Sequence, residues 1–244
     1  PLFTMRLLYG CPASAKRDPL EHKDEHAIRN KSTKPSSFSG RCCKNTDQGR
    51  DTKVLYSGEV SMGKFLVIDT ETTWSNRLMS LGAVVADADT MQLIGHKYYI
   101  LDPEYRDGGM YSCALLHRKA GKPSVCSREF AILDLQNYCS HYKIEKIFAY
   151  NARFDKGQLP EFSHMAWHDI MQLAAYIQYN HAIPSNAAIC STGRLKCGYG
   201  VEPIMRLLSN DYSYMETHNA LLDAADELEI MRLLGYSVDR YKPI

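Results

Sequence analysis

The sequence predicts an α/β fold in which helices pack on a sheet, and three features carry that prediction. Three apolar runs of strand length follow one another between residues 64 and 101. Helix-spaced and strand-like segments then alternate toward the end of the chain. The first run, Phe65-Leu-Val-Ile68, has the length and the branched and aromatic content of a strand buried on both faces.

Residues 1–61 contain hardly any apolar periodicity; Gly, Ser, Lys, Asp and Asn dominate, as in Lys31-Ser-Thr-Lys-Pro-Ser-Ser37. Such a segment buries too little apolar surface to offset its ordering entropy, so a polar, disordered N-terminal extension is expected. Its lysines are interleaved with acids, which favours a solvated segment over a basic nucleic-acid-binding arm. Met62-Gly-Lys-Phe65 also reads as a natural start directly before the first strand. Gly58-Glu59-Val60 can be encoded by purine-rich codons resembling a bacterial ribosome-binding site at a suitable distance. On that expectation residues 1–61 are not native coding sequence, and a chain beginning at Met62 keeps its fold and activity.

From Met62 the pattern is orderly. A strand over Lys64–Asp69 is followed by Leu81–Ala86 and Ile94–Leu101, the last two joined by a turn at Asp87-Ala-Asp-Thr90. Ser127 is placed to cap a helix reaching Tyr138, with apolar residues at helical spacing. Lys146–Tyr150 is a fourth strand, and Asp169–Ile177 and Val201–Leu208 are helical. A final helix from Ala220 to Leu234 carries Leu221, Ala225, Leu228 and Met231 on one stripe and has Gly235 as its stop signal. No internal repeat interrupts this order.

With 244 residues and 10% aromatics the chain can bury one sizeable core, or a domain with an appendage. The formal net charge of +1 is unevenly split: residues 1–61 hold 11 Lys/Arg against 7 Asp/Glu, or +4, and residues 62–244 hold 18 against 21, or −3. The larger part has no global basic field for gripping a long duplex, so a nucleic-acid substrate would be held locally. The eight cysteines form no Cys-x-x-Cys pair and no zinc-ligand spacing with His, and reduced thiols are expected. No run approaches transmembrane length, and Met5-Arg-Leu-Leu-Tyr9 is too short and broken for a signal-peptide core. The expectation is a soluble, cytoplasmic protein with no membrane partner.

Chemistry enters through the carboxylates that follow the first run, in Ile68-Asp69-Thr-Glu71-Thr-Thr73. Strand alternation sends Asp69 and Glu71 to the same side. Two anions together at the end of a buried strand repel each other and lose hydration, so they require a cation. Hard carboxylate oxygens without nearby Cys or His favour Mg²⁺ or Mn²⁺ over zinc. Taken alone, this pair also fits an Asp that caps a following helix beside a solvated Glu.

Two further clusters follow. Asn151-Ala-Arg-Phe-Asp155 places Asp155 one turn into the helix after the fourth strand, where its charge also suits the macrodipole. Thr217-His218-Asn219-Ala220-Leu-Leu-Asp223 opens the last helix. Residues five apart are about 140° out of register on a regular helix. His218 and Asp223 therefore meet at one site only if His218 lies at or before the helix start, with Thr217 as the cap. The positive end of that helix favours a neutral His218, able to accept a proton.

The joint order of these clusters resembles the DEDDh, or DnaQ-like, family of 3′–5′ exonucleases, which has the ribonuclease H-like fold. Ile68-Asp-Thr-Glu-Thr-Thr73, Tyr150-Asn-Ala-Arg-Phe-Asp155 and His218-Asn-Ala-Leu-Leu-Asp-Ala224 stand in the family's order across roughly residues 63–235. The related tyrosine branch places Tyr four residues before the last Asp. Asn219 holds that position here and His218 the one before it, which indicates the histidine branch. Two departures are Trp74, where a glycine often follows the Thr-Thr pair, and a short segment between Glu71 and the second strand. Both lie where family members receive the terminal base.

The resemblance implies a mixed ribonuclease H-like sheet within residues 62–244. It implies a metal-dependent enzyme that hydrolyses phosphodiester bonds at the 3′ end of single-stranded DNA or RNA, releasing nucleoside 5′-monophosphates. It further implies two divalent cations, Mg²⁺ or Mn²⁺, about 3.5–4 Å apart. Asp69 would bridge both, Glu71 and Asp223 would bind the one carrying the attacking water, and Asp155 would complete the set directly or through water. His218 would be the general base, which requires a mobile imidazole and a pKa near the working pH. Thr70 and Thr72 are expected at the terminal sugar or phosphate. Trp74 and Phe154 are expected to stack on bases, with a core position as the alternative for Phe154. Asn151 would contact substrate or satisfy the turn's backbone.

The partners implied are single-stranded 3′ ends and a polymerase or other nucleic-acid-processing complex. An inactive nuclease-fold adaptor or polymerase-associated module is the alternative, and the presence of all four acids and the histidine argues against it. A phosphoesterase for small nucleotides would lack 3′-end polarity on an oligomer. DNA proofreading, RNA trimming and oligonucleotide scavenging share this chemistry; the choice among them rests on the pocket around Trp74 and the loop from Pro184 to Gly200.

Overall fold

The computed structural model describes residues 63–244; the N-terminal extension and the Met62 start expected from the sequence lie outside the described residues. β1 (Lys64–Thr72), β2 (Leu78–Asp87) and β3 (Leu93–Leu101) form an antiparallel meander. The expected turn between the last two is held by Asp87, whose Oδ1 accepts from the amides of Asp89 and Thr90 and from the Thr90 hydroxyl. β4 (Ser124–Cys126) runs parallel to β3, β5 (Lys146–Ala149) parallel to β1, and β6 (Ala166–Asp169) parallel to β5. The result is one mixed sheet in the order β4-β3-β2-β1-β5-β6.

Among the described residues five α-helices accompany it: α1 (Arg128–Tyr142), α2 (Arg153–Gln158), α3 (Met171–Ala174), α4 (Val201–Ser209) and α5 (Ala220–Leu234). Ser127 caps α1 as expected, its hydroxyl accepting from Phe130 N at 3.3 Å. α5 closes at Gly235, which takes a left-handed φ of 69° and donates to Met231 O. Of its expected stripe, Leu221, Leu228 and Met231 are buried and Ala225 lies at the edge.

Two differences from the expected elements have local causes. Asp169 ends strand β6 instead of opening a helix, and the helix expected over Asp169–Ile177 is confined to Met171–Ala174. Buried Asn180 donates from its side chain to Ala174 O at 2.7 Å, taking an acceptor that a longer helix would use for itself. β4 and β6, three and four residues long, are additional strands.

The strand pleat divides the core in two. Leu66, Ile68, Leu81 and Val85 face Ala131, Ile132 and Leu135 of α1. Phe65, Val67, Val84 and Ala86 face α4 and α5 through Ile204, Met205, Ala224, Leu228 and Met231. All ten residues of β2 are buried, and β1 is its central neighbour, whose far end carries Asp69 and Glu71. Full burial of each such side chain contributes about 1.5–3 kcal/mol, so the strand bearing the acids is among the best-anchored parts of the fold. No helix among the described residues is long and apolar enough to cross a membrane. Cys113, Cys126, Cys139, Cys190 and Cys197 are free thiols.

Candidate active site

Asp69 pairs across the sheet with Gly82 of β2. A Cβ at Gly82 would overlap the Ala220 carbonyl and the Leu221 amide, so the first turn of α5 rests directly on the sheet opposite Asp69. That seating brings Asp223 over the end of β1. The cap of α5 is Asn219 rather than the expected Thr217: its Oδ1 accepts from Leu222 N at 3.3 Å. Asn219 is fully buried, and its Nδ2 donates to Tyr98 Oη at 2.8 Å and Ala114 O at 2.7 Å. Thr217 is otherwise engaged, its hydroxyl donating to Asp223 Oδ1 at 3.1 Å. His218 lies before the helix, as its spacing from Asp223 requires, in left-handed backbone at φ 54°. An oxygen of Glu71, a ring nitrogen of His218 and an oxygen of Asp223 lie within 4.8 Å of one another.

Asp155 arrives from the other side of β1. Asn151 turns the chain out of β5 at φ 62°, a conformation asparagine tolerates, and its amide donates to Asp169 Oδ1 at 2.9 Å. The preceding amide, of Tyr150, donates to Glu227 Oε2 at 3.0 Å. Thus two carboxylates from two further elements grip the turn that starts α2. Asp155 sits in the first turn of that helix and accepts from Thr70 Oγ1 at 2.7 Å. Thr70 is buried, so the hydroxyl expected at the substrate instead orients Asp155.

The electrostatics are those of crowded anions. Burial, followed by Asp155, Asp223, Glu71 and Glu216, holds the Asp69 carboxyl well above the usual carboxylate range. Burial and then Asp223, Glu216 and Asp155 push Glu71 up to about 8. Burial and then Glu216 raise Asp223 to about 8, against the hydrogen bond from Thr217. Asp155 rises to about 7 through burial, opposed by Thr70. Among the described residues no Lys or Arg forms an ion pair with any of the four. Asp69 Oδ2 is buried with no hydrogen-bond partner. Hard oxygen donors, mutual repulsion and an orphaned carboxylate oxygen fit divalent cations of the Mg²⁺ or Mn²⁺ kind. His218 shifts the other way: burial lowers its pKa, and Glu202 opposes the shift. The direction agrees with a neutral imidazole, while the cause is burial.

Around this centre, Trp74 is 71% exposed, and its amide donates to Gly108 O at 3.0 Å. Phe154 is 42% exposed on α2, which excludes the alternative of a core residue. Thr72 and Asn151 flank the same ends of β1 and β5. Sequence reasoning missed the parts played by Gly82, Asn219, Glu216 and Glu227. Two carried a signal: a glycine inside an apolar strand marks a close backbone approach, and Glu227 lies one turn beyond Asp223 on the same helix face.

No protein-family model matches the sequence, and no curated protein is similar to it by sequence. Among solved structures the chain is similar to a 3′-exonuclease in 3′-end-specific recognition of a histone mRNA stem-loop, at 11% identity and TM-score 0.49, covering 73% of this chain and 66% of that one. It is similar to exonuclease X in complex with 5′-overhanging duplex DNA, at 22% identity and TM-score 0.41, over 72% of this chain and 95% of that one. It is similar also to the nuclease domain of 3′hExo, a DEDDh family member bound to rAMP, at 12% identity and TM-score 0.49, over 72% and 94%. Likeness at this level assigns no chemistry, which has to come from the side chains themselves.

Proposed function

We propose that this chain is a divalent-metal-dependent 3′–5′ exonuclease of the DEDDh type, acting on the 3′ ends of single-stranded DNA or RNA and releasing nucleoside 5′-monophosphates. The observation that supports this reading is a meeting of side chains from three distant stretches at one end of β1: Asp69 and Glu71, Asp155, and His218 with Asp223. Asp69, Glu71, Asp155 and Asp223 would hold two divalent cations, Mg²⁺ or Mn²⁺, which when bound neutralise phosphate charge and lower the pKa of a water.

The remaining roles belong to the chain itself. His218 accepts the proton of the attacking water at the ring nitrogen that lies beside Glu71 and Asp223. Its lowered pKa keeps the lone pair available near neutral pH. Thr70 and Thr217 aim Asp155 and Asp223. Exposed Trp74 and Phe154 offer aromatic faces for bases to stack on, and Thr72 and Asn151 contact the terminal nucleotide. Recruitment by a polymerase or another nucleic-acid-processing complex belongs to the same reading.

The test is degradation of matched 3′-labelled and 5′-labelled DNA and RNA oligomers, single- and double-stranded, with Mg²⁺, Mn²⁺ or chelator. Metal-dependent release of the 3′-terminal mononucleotide is expected. Absence of release with either metal, or cleavage without 3′ polarity, overturns the reading.

A further inference from the structure

The imidazole of His218 lies flat against the ring of Tyr111, with centroids 3.8 Å apart and planes 14° from parallel. Tyr111 belongs to the irregular segment between β3 and β4, far from the acidic clusters in sequence. The stack is built into the fold. Ala114 N donates to Tyr111 O at 2.9 Å, which closes a tight turn around the tyrosine. Ala114 O then accepts from Nδ2 of Asn219, the residue next to His218, and the Tyr98 hydroxyl donates to Leu115 O at 2.7 Å. On the other flank, a Cβ at Gly109 would overlap Thr72 O, so this loop also rests on the end of β1. Both halves of the stack are therefore tied to one buried asparagine and to the strand that bears the acids.

The imidazole needs such a hold. His218 precedes the helix, takes left-handed backbone, and is held by no hydrogen bond to a described residue. In its stacked position its ring nitrogen is already within 4.8 Å of oxygens of Glu71 and Asp223. The stacked rotamer is thus the one that faces the site. Parallel stacked rings resist rotation about χ1 and χ2, because turning either ring out forfeits the shared face.

We infer that Tyr111 is a positioning residue: its ring holds the His218 imidazole pointed at the carboxylate centre, so that the general base is set before substrate arrives. This rests on the proposed exonuclease chemistry for its consequence and on geometry alone for its existence. A stacked aromatic pair is worth a factor of roughly two to ten beyond area burial. Tyr111→Ala is therefore expected to lower kcat by that factor with KM little changed, and Tyr111→Phe to restore it.

The deciding experiment reads the ring directly. In metal-free protein with ¹³C-labelled histidine, the His218 ring resonances, identified by their loss in His218→Ala, should lie upfield from the ring current of Tyr111. They should move downfield in Tyr111→Ala and stay in place in Tyr111→Phe. Should Tyr111→Ala fail to fold by thermal unfolding, Tyr111→Leu keeps the apolar bulk without a ring current and takes its place. In the His218→Ala background, Tyr111→Ala should cause no further loss of kcat. Unmoved His218 resonances, failure of Tyr111→Phe to rescue, or an additional loss without His218 would each overturn the assignment. If the chain releases no nucleotide at all, the proposed activity fails, and the resonances still uphold or overturn the stack.

Discussion

Gly82→Ala is a sharp test of how the site is assembled. The glycine is the cross-strand partner of Asp69, and a methyl group there would occupy the space of the Ala220 carbonyl and the Leu221 amide. These are backbone atoms of a helix start capped by a buried asparagine, so they cannot swing aside as a side-chain tip would. Carbon contacts relax at about 3.5–4.0 Å, which requires the first turn of α5 to retreat by on the order of 1 Å. Overpacking of this kind costs about 1–3 kcal/mol. Backbone preference does not add to the cost: Gly82 is not in the left-handed region, and at a position whose backbone suits alanine Gly→Ala alone stabilises by about 0.4–1 kcal/mol. The same retreat carries His218 and Asp223 away from Asp69 and Glu71, and misplacement by about 1 Å costs about a hundredfold in rate. The assay is kcat/KM on a 3′-labelled single strand, together with the rise in Tm on adding Mn²⁺, which reads the metal site without catalysis. Gly95→Ala on β3 is the control, because its methyl meets the hydroxyl end of Tyr138, a flexible side chain. If Gly82→Ala matches Gly95→Ala in Tm, in metal response and in rate, α5 is not seated on the sheet in the way described.

Three other perturbations have defined outcomes. Without metal, Glu71 and Asp223 titrate near 8 and Asp155 near 7, all raised chiefly by burial. The folded state therefore holds more protons than the unfolded state between the ordinary carboxylate range and pH 8, and stability falls as pH rises through that window. Differential scanning fluorimetry in chelator should show a lower Tm at pH 8.5 than at pH 5.5, with Mg²⁺ or Mn²⁺ reversing the loss; a Tm that rises over that interval contradicts the crowded-anion picture. His218→Ala should leave the metal-induced Tm shift intact while lowering kcat about 10²–10⁴-fold, and normal turnover by this variant would remove His218 from the base role. Trp74→Ala, at a 71% exposed position, should raise KM more than it lowers kcat, by the roughly 1–3 kcal/mol of one stacked base; a kcat effect alone would argue against stacking.

What was legible in the sequence follows from what each residue advertises. Strands buried on both faces announce themselves as apolar runs, so β1, β2 and β5 are legible, β3 is legible through the buried run Tyr98–Leu101 at its end, and α5 is legible at the bounds Ala220–Leu234. β6 is not, because its buried end holds His168 and Asp169, polar residues with partners from distant parts of the chain. His168 Nδ1 pairs with Tyr241 O, and Asp169 accepts from the amides of Asn151 and Met171. Thr217 and Asn219 are both good capping types two residues apart. Only the hydrogen bonds show that one caps the helix while the other aims Asp223. The acids and the histidine were visible by residue type and order. Tyr111 carried no signal at all, since a tyrosine in a loop is unremarkable until its ring is seen against His218.

The two halves of the site are built on the same plan. Each acid-bearing helix is preceded by a non-glycine residue in left-handed backbone: Asn151 at φ 62° before Asp155, and His218 at φ 54° before Asp223. Asparagine tolerates this conformation, whereas for His218 it costs on the order of 1–3 kcal/mol, which the surrounding hydrogen bonds offset. The amides at the Asn151 turn are held by Glu227 and Asp169, and the turn at His218 by Asn219 with its two buried acceptors. The sharp turns lead into both helix starts at the end of β1, where Asp155 and Asp223 both act on the Asp69 carboxyl. A gentler path would relieve the backbone and separate the acids. Glu227 shows how far this goes: it holds Tyr150 N while its own carboxyl is driven well above the usual range by burial and by Asp69 and Asp155. Burial and the two acids in front of it thus favour the neutral carboxyl, which still accepts from the turn that delivers Asp155.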